Sequence, residues 1–140
     1  MKKLETSLED LNAMTKDTMV EHLGIRFTEV GDDYLKGVMP VDKRHHQPFG
    51  ILHGGASVAF AETLGSLGAQ LSLDSPKSYC VGLEINANHI RSVRSGQVSG
   101  TARPLHRGKS TQVWEIKIED EQGRLVCVSR LTMAVLTKHD

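Results

Sequence analysis

The segment from Gly55 to about Leu73 limits most strongly how this chain can fold. It carries Ala56, Val58, Ala59, Phe60, Ala61, Leu64, Leu67, Ala69 and Leu71, which makes it apolar around most of a helix's circumference. Such a helix needs cover on nearly every side, so the remaining chain has to wrap it. Gly65 and Gly68 weaken the helix locally, which predicts that other backbone packs closely against them. Asp74-Ser75-Pro76 ends the segment. Within it stands Glu62, a carboxylate whose burial costs free energy unless something compensates it.

The flanking segments read as the wrapping. Ile25 to Val30 alternates apolar and polar residues, Gly31-Asp32-Asp33 turns, and Tyr34 to Met39 returns until Pro40 ends the strand. After the helix, Ser78 to Ile90, Gln97 to Leu105, Ser110 to Glu119 and Arg124 to Thr137 are rich in Val, Ile, Thr and Leu. Arg94-Ser95-Gly96, Arg107-Gly108-Lys109 and Asp120-Glu121-Gln122-Gly123 separate them as hairpin turns. Ahead of these, Ser7 to Leu23 reads as two helical pieces, with a capping box at Thr18…Glu21. The expected fold is α+β, an antiparallel sheet wrapped around one long helix in a single domain spanning the 140 residues. A sheet of that kind leaves edges open, which predicts a homo-oligomer with a site between subunits.

Charge excludes several functions. Seventeen basic residues balance seventeen acidic ones, so a general nucleic-acid binder, which needs a cationic excess, is not expected. No run of about 18 apolar residues is present to span a membrane. Acidic residues follow Met1-Lys2-Lys3 where a signal peptide would be apolar, so the expected compartment is the cytoplasm. Cys80 and Cys127 lie in apolar runs and read as buried reduced thiols. His45, His46 and His53 lack the spacing of a familiar zinc site, so no metal is expected. Neither a Gly-x-Ser-x-Gly elbow nor a nucleotide-binding fingerprint occurs.

The chemistry gathers around Gln47-Pro48-Phe49-Gly50-Ile51-Leu52-His53-Gly54-Gly55. A helix start leaves N–H groups unpaired and carries partial positive charge, and glycines there let a ligand approach closely. Gly54 and Gly55 can therefore polarise a carbonyl. Glu62 lies two turns further on, and Ser66 follows it at i+4 on the same face. This combination suits attack of water, or of the carboxylate, on a polarised carbonyl, with Gln47 and His53 orienting the reactants. Glycines before a helix are also common as plain caps, and Glu62 can equally face solvent. Downstream, Arg91, Arg94, Arg103, His106, Arg107 and Lys109 gather near two turns. They are either solvated turn residues or a local phosphate clamp. A ligand with a reactive acyl end and a phosphorylated tail would join the two groups, as a coenzyme A thioester does.

The run Gln47–Ser57 with Ala61-Glu62-Thr63-Leu64-Gly65-Ser66 resembles the hotdog-fold acyl-CoA thioesterases, in particular bacterial ones that hydrolyse aryl-CoA and related thioesters. Val81-Gly82-Leu83-Glu84-Ile85-Asn86-Ala87-Asn88-His89 and Pro104-Leu105-His106-Arg107-Gly108 are similar to the same group, so the resemblance covers nearly the whole chain. It implies Glu62 as catalytic carboxylate, the Gly55 N–H as carbonyl donor, Gln47 and His53 at the reaction centre, and Ser66 beside the acyl group. It also implies substrate contacts, chiefly to the nucleotide and pantetheine, from Gly82, His89, Ile90, Arg91, Ser92, His106, Arg107, Gly108, Lys109, Ser110 and Thr111. A homotetramer built as a dimer of dimers follows, without cofactor or metal. Coenzyme A enters as part of the substrate, and an acyl carrier protein is a second candidate thiol. Lys43-Arg44-His45-His46 and Gln70-Leu71-Ser72-Leu73 look individual to this chain. A hotdog dehydratase and a non-catalytic acyl-CoA-binding regulator are the alternatives. The short neutral N-terminus speaks against the regulator.

Overall fold

The computed structural model describes residues 7–139; the charged start, on which the expectation of no signal peptide rests, lies outside them. The elements run α1 (Leu8–Ala13), α2 (Met19–His22), β1 (Arg26–Val30), β2 (Leu35–Pro40), α3 (Gly54–Leu71), β3 (Ser78–His89), β4 (Gln97–Arg107), β5 (Thr111–Glu119) and β6 (Leu125–Thr137). The six strands form one antiparallel sheet in the order β1-β2-β4-β5-β6-β3, with α3 packed across it. This is the expected α+β arrangement.

Alternation places the core. In β5, Gln112, Trp114, Ile116 and Ile118 turn inward, while the odd-numbered residues are half-buried or exposed. Trp114 is fully buried and its indole N–H donates to Gln112 Oε1 at 2.8 Å. Opposite, α3 buries Phe60, Ala61, Leu64, Gly65, Gly68 and Ala69.

Helix and sheet interlock through glycines on both sides. Gly37 and Gly100 are cross-strand partners, and a Cβ on either would stand 2.8 or 2.6 Å from a Leu64 methyl. In return, a Cβ on Gly65 would meet Leu131 at 2.7 Å, and one on Gly68 the Trp114 ring at 2.8 Å. Side chains of the sheet, not its backbone as expected, fill the space beside the helix glycines. Close packing leaves no slack for such atoms, so these contacts fix the position of α3 along the sheet.

The capping box lies elsewhere than expected. Ser7 and Asp10 form one at the start of α1, whereas Thr18 makes no side-chain cap and its hydroxyl donates to the Thr15 carbonyl. Asp17, with φ 61°, turns the chain between the two short helices. Element boundaries shift as well: α3 begins one residue early and ends at Leu71, and β4 runs on through Arg107 past a bulge between Pro104 and His106. Cys80 is half-buried and Cys127 buried, both free, and burial pushes both thiols up, away from the reactive thiolate.

Candidate active site

The start of α3 is built by a tight loop. Gln47 N–H donates to Ile51 O at 2.9 Å, Gly50 N–H donates to Gln47 O at 2.9 Å, and Gly50 takes φ 76°, a conformation suited to glycine. The Gln47 side-chain oxygen accepts the Phe49 N–H, which leaves its amide nitrogen free to donate to a ligand. His53 then caps the helix in extended conformation.

Both glycines of the His-Gly-Gly run make room for a histidine. His53 Nδ1 accepts the Gly55 N–H at 2.7 Å, and a Cβ on Gly55 would stand 2.9 Å from that nitrogen. A Cβ on Gly54 would stand 2.8 Å from Nε2 of His89, which arrives from the end of β3. The space expected for a ligand thus holds two imidazoles, and the N–H expected to polarise a carbonyl already has an acceptor.

Glu62 is exposed rather than buried. With Gly55, Val58, Ala59, Thr63 and Ser66 it lines the side of α3 that meets the N-terminal segment, so Glu62 and Ser66 share a face as expected. That stripe floors a groove of about 700 Å³. Met14, Thr15, Thr18, Met19 and Val20 of the N-terminal segment and Phe27 of β1 wall it. Glu62 is the one charged side chain among the described residues lining it. Thr63 Oγ1 donates to Ala59 O at 2.7 Å and Ser66 Oγ lies 3.9 Å from Met133 Sδ, so Ser66 keeps only a weak partner. On the other flank is Gly82, where a Cβ would lie 4.0 Å from Glu62 Oε1. Beside it β3 bulges against β6 between Gly82 and Glu84, a distortion frequent next to active sites.

The remaining candidates divide between the ends of α3, which are about 27 Å apart at 1.5 Å per residue. Gln47, Gly54, His89, Ile90, Arg91 and Ser92 line a cavity of about 330 Å³ at the N-terminal end. Arg107, Gly108 and Lys109 line one of about 610 Å³ with Ser72, Asp74 and Ser75 at the other end. His106 and Ser110–Thr111 adjoin that second cavity along the chain, and Gly108 N–H donates to Thr111 O at 2.8 Å. Arg103 stands apart, over the Tyr34 ring at 4.9 Å with Asp33 at 3.5 Å. Within one chain the cationic residues therefore form no common clamp. Among the described residues no group of three or more His, Cys, Asp or Glu side chains is placed to hold a metal ion.

A six-stranded antiparallel sheet packed on one long helix is the hotdog arrangement, and among the described residues Glu62 is the one carboxylate lining the groove on that helix. Residues 49–127 match the thioesterase superfamily model, and the chain belongs to that family. It is 55% identical over 134 residues to a 1,4-dihydroxy-2-naphthoyl-CoA hydrolase of Escherichia coli, covering 96% of this chain and 98% of that one. It is 56% identical over 134 residues to the proofreading thioesterase EntH of Cronobacter sakazakii, covering 96% and 97%. A solved thioesterase structure from Haemophilus influenzae superposes with a TM-score of 0.94 at 48% identity, covering 99% of this chain and 96% of that chain. The protein is a thioester hydrolase.

Proposed function

We propose that the protein hydrolyses aryl or related acyl-CoA thioesters to the carboxylic acid and free coenzyme A, with Glu62 as the reacting carboxylate. The observation that carries this reading is the position of Glu62 as the one charged side chain, among the described residues, in an apolar groove of about 700 Å³, a size suited to an aromatic acyl group. The substrate carbonyl replaces His53 Nδ1 as acceptor of the Gly55 N–H, and Gln47 contributes its amide N–H beside it. Glu62 either takes the proton of an attacking water or adds to the carbonyl itself, giving an anhydride that water cleaves. The C–S bond breaks, the released imidazole of His53 stands beside the departing thiolate, and Ser66 helps hold the water. His89–Ser92 and His106–Thr111 receive the pantetheine and nucleotide.

One chain does not bring these groups to a single carbonyl. Seven residues of helix separate Gly55 from Glu62, about 10 Å, and the Gly55 N–H points out of the helix end, away from Glu62. A site shared between subunits removes the difficulty. β3 supports that arrangement: it is a twelve-residue edge strand that exposes Val81 at 41% and Leu83 at 61%. A long apolar edge of this kind calls for a pairing partner, and a second copy offers the same edge in antiparallel register. We take the assembly to be a dimer of such dimers, acting in the cytoplasm.

A thiol-release assay over naphthoyl-CoA, benzoyl-CoA, aliphatic acyl-CoA and aryl-carrier-protein thioesters tests the reading. Preference for the aryl-CoA compounds supports it, and 1,4-dihydroxy-2-naphthoyl-CoA in menaquinone synthesis is the substrate we favour. Preference for misacylated carrier protein would instead support proofreading, which the 56% identity to EntH favours equally.

A further inference from the structure

The stretch between Asp42 and Gln47 takes no part in the reaction as drawn above, yet it holds a histidine that is 1% exposed, His45. Its Nε2 lies 2.7 Å from the Leu23 carbonyl oxygen, and its Nδ1 accepts the Asp42 N–H at 3.1 Å. A carbonyl only accepts, so Nε2 carries a proton; Nδ1 faces the Asp42 N–H and also lies 3.3 Å from Asp42 Oδ1, so both ring nitrogens are engaged. Next to it, Arg44 Nη1 donates to the His22 carbonyl at 2.7 Å while its other nitrogens hold the Asp42 carboxylate at 2.8 and 3.0 Å. The end of α2, whose last carbonyls have no helical partners, is thus tied to this loop.

On its other side the same loop carries the site. The His45 carbonyl accepts the His53 N–H at 2.7 Å, His46 Nε2 lies 2.7 Å from the Arg94 carbonyl, and Gln47 follows directly. The far end of the N-terminal segment is tied separately. The Asn12 carboxamide accepts the Phe27 N–H at 2.8 Å and donates to its carbonyl at 2.9 Å, as a neighbouring strand would. The chain from Ala13 to Glu21 is therefore a strap fixed at both ends, and Met14, Thr15, Thr18 and Met19 on it wall the Glu62 groove.

We propose that His45 is a positioning residue that ties this strap to the loop bearing Gln47 and His53 and thereby sets the width of the acyl groove. It touches no substrate. The proposal rests on the reading of the groove as the acyl pocket. A histidine suits the task because its ring offers a donor and an acceptor on opposite edges to two backbone segments. Glutamine keeps a donor at the reach of Nε2 and gives up the acceptor; asparagine keeps the near acceptor and falls short of Leu23.

The test compares His45→Gln and His45→Asn in the full chain by amide hydrogen exchange and by steady-state kinetics on benzoyl-CoA and on acetyl-CoA, whose two-carbon acyl group fills least of the groove. His45→Asn is expected to speed exchange across residues 14–22 and raise KM for benzoyl-CoA about tenfold, the scale of one lost buried hydrogen bond. Its kcat on benzoyl-CoA should stay within about threefold, KM for acetyl-CoA should be unchanged, and His45→Gln should stay near wild type. If the two variants behave alike, or if His45→Asn loses equally on both thioesters, the ring only fills space and the proposal fails. Should His45→Asn not fold, Arg44→Ala, which releases the neighbouring His22 carbonyl, is expected to show the same pattern with smaller shifts; no such pattern overturns the proposal. If wild type cleaves neither thioester, the acyl-pocket reading fails, while exchange across residues 14–22 still decides whether His45 holds the strap.

Discussion

His53 Nδ1 accepts the Gly55 N–H at 2.7 Å, so the donor assigned to the thioester carbonyl is capped by a side chain from the preceding residue pair. Under the proposed mechanism, a carbonyl reaching this N–H displaces an imidazole rather than entering open space. Replacing His53 with alanine removes the cap and costs about 1 kcal/mol of stability, the usual scale for a lost N-cap. It also lowers kcat, without raising KM for the thioester. Thermal melts and kinetics on the same preparation check both; a raised KM with an unchanged Tm would contradict the competition.

Gly68 faces the Trp114 ring, which would stand 2.8 Å from an added Cβ. Alanine gains roughly 1 kcal/mol of helix propensity there. Overpacking a filled core costs about 1 to 3 kcal/mol, and Trp114 is fully buried with its N–H engaged. Overpacking wins, so Gly68→Ala should lower Tm by several degrees. An unchanged or higher Tm would show that the ring moves freely.

The Arg44 guanidinium, with help from its backbone N–H, holds the Asp42 carboxyl well below its ordinary value of 3.8. A depressed folded-state value contributes stability that is full above the unfolded value and is lost as pH falls through the folded one. The Tm difference between wild type and Asp42→Asn should therefore be constant from pH 7 to about 5. It should narrow steadily below about pH 4. A gap that stays constant to pH 2 would count against the Asp42–Arg44 pair.

If each site takes Gln47 from one subunit and Glu62 from the other, two inactive variants rescue one another. Half of a random mixture of Gln47→Ala and Glu62→Gln is mixed dimer, each with one intact site, which restores about a quarter of wild-type activity. Absence of recovery after verified subunit exchange would place the whole site within one chain. Leu83→Asp on the β3 edge should, in the same way, lower the mass seen by light scattering and abolish turnover.

The strands and the central helix were legible because alternation in Val113–Glu119 and near-continuous apolarity in Ala56–Leu71 are local signals of period two and of full cover. The exposure of Glu62 was not. A helix that is apolar nearly all round says that something covers it, but not which stripe is left for another subunit or a ligand. The capping box sits at Ser7 and Asp10 rather than at Thr18 and Glu21, which share its spacing, because the Thr18 hydroxyl donates to Thr15 instead of the helix start. Nor does spacing show that Gly54 and Gly55 accommodate His89 and His53, since one of those partners arrives from 35 residues away in the chain. The sequence marked His45 only as part of a run individual to this chain and as one of three histidines without zinc spacing; its burial depends on the Leu23 carbonyl just past α2.

The most direct test is the single-turnover rate of Glu62→Gln on benzoyl-CoA, measured beside wild type with binding checked separately. Loss of at least about a hundredfold in the chemical step, the scale of a removed acid/base group, with Kd within a few-fold of wild type, is the expected result. A chemical step within a few-fold of wild type would contradict the central role given to Glu62.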